Sequence, residues 1–281
     1  MAPRQFTFFG FLRLTRFWNL LIIGLAQYFA AGFLIAHQNI WDIHLLLLAV
    51  STGLIAAAGY IINDYYDVKI DLINKPGRVV IGKEVARRYA LLLHSLLSVT
   101  GSAMGFFLNW KIGIISFSSA FLLWWYSNDL KRQPFVGNFL VALLTGLSIF
   151  LVNILYSIHQ PWVTIYALFA FAMTLVREIV KDMEDLKGDN TFGCKTLPII
   201  WGIWKTKLFI YFLLLIFFVT VVEINFQFSQ LPIYYFTALF FVPLVLLFAR
   251  LIRADTKQDF HGLSQWCKVI MLLGIASMIF I

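Results

Sequence analysis

The stretch Asn63–Asp71 reads Asn-Asp-Tyr-Tyr-Asp-Val-Lys-Ile-Asp and closes a long apolar run that begins near Ile43. Asp64, Asp67 and Asp71 are three and four residues apart, so a helix places their carboxylates on one face within about two turns. Three like charges on one face repel one another, and the C-terminal end of a helix disfavours negative charge. A solvated helix end would be the simpler explanation, but we expect cationic groups opposite this face.

A second acidic stretch, Asp182–Asp189, reads Asp-Met-Glu-Asp-Leu-Lys-Gly-Asp and repeats the spacing of the aspartates. Alone, it could be explained by ion pairs at an exposed helix end, because Arg177, Lys181 and Asp185 are four residues apart and share a helix face. The presence of two clusters with one spacing favours a common chemical role over this explanation.

That role is metal binding. Mg²⁺ takes oxygen ligands and is usually held by one or two carboxylates together with substrate phosphates and water. Two acidic clusters, each followed by basic residues, therefore indicate sites for Mg²⁺ ions that bridge a polyphosphate. The predicted metal-binding and catalytic side chains are Asp64, Asp67, Asp71, Asp182, Asp185 and Asp189.

The composition predicts an all-α membrane protein with several spans. Of the 281 residues, 61% are hydrophobic and only 13% are charged, which would leave a soluble domain without a polar surface. The segment Met1–Phe11 has no small-residue cleavage pattern and leads into a retained span, so we expect no cleaved signal peptide. Cys194 and Cys267 are too few for a disulfide or zinc framework. We treat residues 1–281 as one transmembrane domain.

Apolar runs of near 20 residues predict nine spans. The predicted spans are Thr15–Ala36, Ile43–Asp71, Ala86–Leu108, Ile112–Ser127, Val136–Ile158, Trp162–Lys187, Trp204–Ile224, Pro232–Arg253 and Leu263–Ile281. The polar loop Asn74–Arg78 contains a Pro-Gly pair that is expected to end the second helix.

The positive charges support this count. With the N-terminus in the cytoplasm, the cytoplasmic side collects 21 of the 22 Lys and Arg residues and leaves out only Lys111. This is the positive-inside pattern, and it places both acidic clusters on the cytoplasmic side. It explains the net charge of +8 by orientation in the cell (inner) membrane, so we expect no nucleic-acid partner.

Basic and polar side chains near the clusters are candidates for substrate binding, because a leaving diphosphate must be neutralised as its bond breaks. The predicted diphosphate-binding side chains are Asn63, Lys75, Arg78, Lys131, Lys181 and Lys195. The predicted acceptor-binding side chains are Arg13, Arg16, Asn19, Tyr126 and Arg177. Each basic residue could instead serve membrane orientation alone.

The two motifs and the nine spans resemble those of the UbiA superfamily of intramembrane prenyltransferases, over nearly the whole chain. The resemblance implies nine helices around a central cavity open to the cytoplasmic side. It also implies Mg²⁺-dependent transfer of a prenyl group from its diphosphate to a membrane-associated lipid or aromatic acceptor. Residue by residue, the first metal–diphosphate motif is matched by Asn63, Asp64, Asp67 and Asp71, the second by Asp182, Asp185 and Asp189, and a diphosphate-binding lysine by Lys131.

The segment Arg177–Asp189, the Lys-Thr-Leu-Pro run at Lys195–Pro198 and the pair Gly137-Asn138 resemble the geranylgeranylglycerol-phosphate geranylgeranyltransferase branch. This implies a geranylgeranyl group, a glycerol-phosphate acceptor and ether-lipid synthesis. However, Val79–Gly82 reads Val-Val-Ile-Gly where this branch usually carries a Pro-Ile-Pro-Ser-Gly type run. An aromatic acceptor of quinone, heme or chlorophyll-type synthesis therefore stays open.

Two other function classes fit the sequence less well. A divalent-cation transporter would place its carboxylates near the bilayer midplane, whereas both clusters here lie at predicted span ends beside Lys and Arg. A CDP-alcohol phosphotransferase would carry a single Gly-containing Asp motif. The sequence gives no signal for an oligomeric state.

The charge pattern makes a topology prediction. Reporter domains fused after Lys75 or after Lys187 should be cytoplasmic, and a fusion near Gln160 should lie on the opposite side of the membrane. Protease or thiol-labelling access in intact and permeabilised cells measures this. A cytoplasmic signal near Gln160 would contradict the nine-span arrangement.

Overall fold

The computed structural model describes residues 7–35, 41–228 and 237–281. Within these residues the chain is helical, and the only β-type pairing is an isolated bridge between Ile81 and Val85. The all-α prediction is confirmed.

Eleven α-helices are described, several of them extended by short π-helical or 3₁₀ turns. They are α1 (Phe8–Leu14), α2 (Phe17–Phe29), α3 (Ile43–Asn74), α4 (Arg87–Leu108), α5 (Trp110–Asn128), α6 (Val136–Leu155), α7 (Pro161–Glu184), α8 (Leu186–Thr191), α9 (Leu197–Phe228), α10 (Val242–Arg253) and α11 (Lys257–Ser277). π-Helical turns occupy Ala30–Leu34 and Thr237–Phe241, and 3₁₀ turns occupy Pro76–Arg78, Leu130–Arg132 and Met278–Phe280.

Seven helical segments of the described residues are long and apolar enough to cross a membrane: Phe17–Leu34, Ile43–Asn74, Arg87–Leu108, Val136–Leu155, Pro161–Glu184, Leu197–Ile224 and Lys257–Phe280. The other two predicted spans coincide with α5, which contains four serines, and with α10. Residues 232–236 of the eighth predicted span and Ala36 of the first lie outside the described residues. The count of nine spans stays a prediction.

Two predicted boundaries are wrong. The seventh predicted span is not one of them: α9 begins at Leu197, but Gly202, whose φ of 79° favours glycine, is non-helical and divides it just before the predicted start at Trp204. The last helix begins at Lys257 rather than Leu263, because Thr256 and Asp259 form a capping box there. The sixth span ends at Glu184, and residues 186–191 form the separate helix α8.

The outer surface of the bundle is apolar. Large side chains such as Val99, Phe107, Phe212 and Leu215 are exposed, far beyond the apolar patches that soluble proteins tolerate. Such a surface requires lipid around it, so the chain is an integral membrane protein. Inside, α3 packs on α4 and α5, while α7 packs on α6, α9 and α11.

Asn74 joins the ends of three helices. Its side-chain amide donates to the carbonyl of Asp185 at 2.9 Å and accepts from the backbone N–H of Gly188 at 2.8 Å. The ammonium of Lys257 donates to the backbone carbonyl of Asn74. The last residue of α3 thereby fixes the start of α8 and the start of α11.

Gly188 is required at this joint. A Cβ there would lie 2.5–2.6 Å from the side-chain atoms of Asn74, which two hydrogen bonds hold in place. We expect Gly188→Ala to lower the free energy of unfolding by roughly 1–3 kcal/mol, as overpacking does. Thermal unfolding of the detergent-solubilised protein measures the loss. Gly77→Ala is the matched control, because no atom lies within 4 Å of its Cβ position; equal melting temperatures for both variants would contradict the expectation.

Candidate active site

Lys131 lies between the two acidic clusters. It occupies the 3₁₀ turn after α5, its side chain is 14% exposed, and its ammonium forms an ion pair with the buried carboxylate of Asp67. Burial lowers the pKa of Lys131, but the carboxylates of Asp67, Asp189 and Asp71 outweigh this and raise the pKa above its ordinary value. Lys131 is therefore a charged group held by carboxylates of both motifs.

Close packing holds this turn in place. A Cβ on Gly137, at the start of α6, would lie 2.9 Å from the Cα of Lys131 and 3.0 Å from the ring of Tyr126. The backbone N–H of Lys195 donates to the carbonyl of Arg132 at 2.8 Å, which joins the Lys131 turn to the loop after α8. Glycine at 137 thus permits the close approach, and the loop brings α8 alongside.

Asp189 faces Lys131 from α8. It is buried, and the N–H of Cys194 donates to its backbone carbonyl at 2.9 Å. Burial raises the pKa of the Asp189 carboxyl to about 7, against the opposing effect of the Lys131 ammonium. A further cation nearby would stabilise the ionised form of this carboxylate.

Three further acidic side chains have polar partners. Asp64 accepts from Arg16 at 2.8 Å, and Asp185 accepts from Lys75 at 2.7 Å. Asp182 accepts from the amide of Asn138 at 2.9 Å. The expectation of cationic groups opposite the first cluster is confirmed by Arg16 and Lys131.

The second motif does not lie on one helix, so the prediction of a single face is wrong. The helix breaks at Asp185, where φ is −96° and ψ is 6°, and the Asn74 side chain binds the carbonyl of Asp185 and the N–H of Gly188 just beyond it. Arg177 and Lys181 pair with Glu178, at 2.8 and 2.7 Å, rather than with Asp185. Asp189, on α8 beyond the break, lies close enough to Lys131 for its carboxylate to raise the pKa of that ammonium.

A cavity of about 240 Å³ opens beside the clusters, between α2, α3, α5, α6, α7 and α11. Six of the predicted site residues line it: Arg16, Asn19, Asn63, Tyr126, Arg177 and Lys181. Its deeper wall is largely apolar and includes Ile55, Leu123, Leu144 and Leu151. The cavity thus joins a charged end to an apolar shaft.

Eleven of the predicted site residues do not line this cavity: the six motif aspartates, Lys75 and Lys131, and the three basic residues Arg13, Arg78 and Lys195. Arg13 pairs with Glu84 at 2.7 Å and donates to the carbonyl of Gly77 at 3.2 Å, with half of its side chain exposed. Arg78 and Lys195 are exposed. All three lie in segments that adjoin the charged end, on α1 and in the loops after α3 and α8.

Sequence reasoning missed several polar residues of this region. Glu178 and Lys268 line the cavity, and Asn74 and Asn138 hold the second motif. His261 binds Glu184 at 3.1 Å. A signal was available for Lys268, since a lysine inside an apolar span usually has a functional reason. Asn74 gave no signal, because its partners are backbone groups 111 or more residues away.

The oxygen ligands of the two motifs fit a Mg²⁺ ion whose coordination is completed by substrate phosphates. They do not fit a metal ion enclosed by protein ligands alone. Within the described ranges, no three His, Cys, Asp or Glu side chains converge closely enough to hold a metal ion. The ion pairs keep the carboxylates apart. The buried Oδ1 of Asp185 has no hydrogen-bond partner, and carboxylate oxygens are the ligands that Mg²⁺ accepts beside water and phosphate.

Lys131 and a divalent cation should therefore substitute for each other. We expect Lys131→Met to lower the melting temperature of the metal-free protein, because Asp67 and Asp189 lose their counter-charge. Added Mg²⁺ should then raise the melting temperature more in this variant than in the wild type. Arg132→Met, in the same turn but exposed, is the control. Equal Mg²⁺-induced shifts in Lys131→Met and wild type would contradict this account.

Two named relatives align with this chain over nearly its whole length. The digeranylgeranylglyceryl phosphate synthase of Saccharolobus solfataricus is 35% identical over 95% of this chain and 94% of its own length. The enzyme of that name from Pyrococcus furiosus is 32% identical over 96% and 95%.

Solved structures share the fold. One, described as concerning digeranylgeranylglyceryl phosphate synthase in membranes, is 25% identical with a TM-score of 0.69 over 97% of this chain and 98% of that one. A UbiA homolog from Archaeoglobus fulgidus bound to DMAPP and Mg²⁺ is 17% identical with a TM-score of 0.64 over 96% and 99%. Residues 25–263 match the UbiA prenyltransferase family. The chain belongs to that family and is an integral-membrane prenyltransferase.

Proposed function

We propose that this enzyme transfers a geranylgeranyl group from geranylgeranyl diphosphate to the free hydroxyl of geranylgeranylglyceryl phosphate, with Mg²⁺ as cofactor, in ether-lipid synthesis. The relatives' shared name supports the acceptor. The observation that carries the proposal is the arrangement of the site: the cluster of carboxylates and cations at the helix ends adjoins, through Arg16 and its partner Asp64, a cavity with cations at one end and an apolar shaft at the other. A prenyl diphosphate has the same division between head and chain.

The carboxylates of the two motifs would hold the diphosphate end. Asp67, Asp71 and Asp189 would supply oxygen ligands around Lys131, and Asp185 has a buried carboxylate oxygen without a hydrogen-bond partner. Bound there, Mg²⁺ would neutralise the diphosphate oxygens as the allylic C–O bond breaks. Lys131 adds a fixed positive charge at the same place, and Lys75, 2.7 Å from Asp185, lies beside it.

The rest of the cavity would hold the prenyl group, including the allylic carbon that becomes positively charged as the C–O bond breaks. The prenyl chain lies along the apolar wall of α3, α5 and α6, where water is scarce. Tyr60 and Tyr126 line the passage between the charged end and this wall, and aromatic faces attract a developing carbocation. The acceptor oxygen then bonds to that carbon, the diphosphate leaves with the C–O electron pair, and the hydroxyl proton departs.

The cytoplasmic orientation of this site and its place in the cell membrane are part of the proposal and rest on the positive-inside charge pattern. The cation-transporter alternative gains no support, because the carboxylates are neutralised by neighbouring cations at helix ends. Nothing in the cavity favours an aromatic acceptor over a phosphorylated one.

An assay of the purified protein tests the proposal. With labelled geranylgeranyl diphosphate, we expect product from geranylgeranylglyceryl phosphate and none from 4-hydroxybenzoate or dihydroxynaphthoate. Excess EDTA should abolish turnover, and Asp67→Asn should lower kcat/KM by at least about a hundredfold, the loss expected from a group that stabilises transition-state charge. Asp129→Asn, on an exposed residue after α5, should retain activity. Preferred use of an aromatic acceptor would overturn the proposed acceptor.

A further inference from the structure

A group of four cations lines the part of the cavity nearest α7 and α11. They are Arg16, Arg177, Lys181 and Lys268. Among the described residues, carboxylates pair with only some of them: Glu178 accepts from Arg177 and Lys181, and Asp64 accepts from Arg16. Four cations and two carboxylates leave this group with an excess of two positive charges.

Glu178 leaves one edge of Arg177 available. The carboxylate uses Oε1 for Nη1 of Arg177 and Oε2 for the ammonium of Lys181. The Nε of Arg177 is buried and has no hydrogen-bond partner. A buried donor without a partner costs about 1–3 kcal/mol, and a guanidinium edge binds phosphate oxygens in a bidentate fashion.

Lys268 adds a second unneutralised group. It lies on α11, outside both acidic motifs, and is half-buried in the cavity wall beside Met271. Within the part of the chain that the structure describes, Lys268 forms no ion pair with a carboxylate. A half-buried ammonium in an apolar span is expensive unless an anion faces it.

The Lys131 side of the site has the opposite balance. Carboxylates outnumber cations there, so an anion binds only together with a metal ion. The group on α7 and α11 needs an anion without a metal. A phosphate monoester carries about −1.5 to −2 charges at pH 7, which matches the excess, whereas a carboxylate supplies only one.

We propose that Arg177, Lys181 and Lys268 form a metal-free site for the phosphate monoester of the acceptor, with Lys268 determining the preference for a phosphorylated acceptor. This inference rests on the proposed function and adds to it a site separate from the metal–diphosphate site. The two anionic substrates then bind at different sides of the site. The diphosphate binds with metal near Lys131, and the phosphate of the acceptor binds at the three cations without metal. Glu178 acts as a positioning residue that orients Arg177 and Lys181.

Kinetics of Lys268→Met test the site. We expect the KM for geranylgeranylglyceryl phosphate to rise roughly ten- to hundredfold, as for loss of one hydrogen bond to a charged group. The KM for geranylgeranyl diphosphate should stay within about twofold, which also shows that the variant is folded. Lys268→Arg should restore most of the acceptor affinity, and Lys205→Met, on an exposed residue of α9, should behave as wild type.

Direct binding in EDTA separates this inference from the proposed function. Without metal, the wild type should bind geranylgeranylglyceryl phosphate and should bind geranylgeranylglycerol, which lacks the phosphate, at least tenfold more weakly. If the wild type prenylates the phosphorylated acceptor but Lys268→Met binds it equally well, the inference fails and the proposed function stands. If the wild type neither binds nor prenylates it and uses an aromatic carboxylate instead, both fail.

Discussion

A carboxylate stays ionised at the buried end of a membrane helix only when a cation faces it, because an isolated buried charge costs on the order of several kcal/mol. Asp64 meets this condition through Arg16, Asp67 through Lys131 and Asp185 through Lys75. These cations come from three different connections, α1–α2, α5–α6 and α3–α4. The ion pairs that neutralise these carboxylates therefore bring the ends of α3, α5 and α7 together. The cavity forms beside them.

The charges of the site fall into two groups. Around Lys131 the carboxylates are in excess, which suits the proposed metal ion and diphosphate. Around Arg177 and Lys268 the cations are in excess, which suits the proposed phosphate of the acceptor. Asn74 contributes to this arrangement, because its side chain binds the backbone at the junction of α7 with α8, the helix that carries Asp189. On α7, Arg177 and Lys181 pair with Glu178.

Much of this arrangement could be predicted from the sequence. Hydropathy and the positive-inside pattern located the helices, and the spacing of Asp64, Asp67 and Asp71 located the charged end, because helical periodicity is a local property. The break at Asp185 could not be predicted, since the Asn74 side chain that binds the backbone there is distant in the chain. For Lys268 the sequence predicts only an orienting charge, because it does not show which groups face this lysine across a cavity. The start of α11 was missed although its capping box, Thr256 with Asp259, is a local pattern.

The central claim is that the two acidic motifs and Lys131 hold one metal–diphosphate group while the prenyl chain fills the apolar shaft. The most direct test is an experimental structure with Mn²⁺ and a non-reactive geranylgeranyl thiodiphosphate, with the metal positions taken from anomalous scattering. The account predicts metal peaks between Asp67 and Asp185 or Asp189, diphosphate oxygens on Lys131, and the chain against Ile55 and Leu123. A diphosphate bound at Arg177 and Lys268 without metal would contradict it.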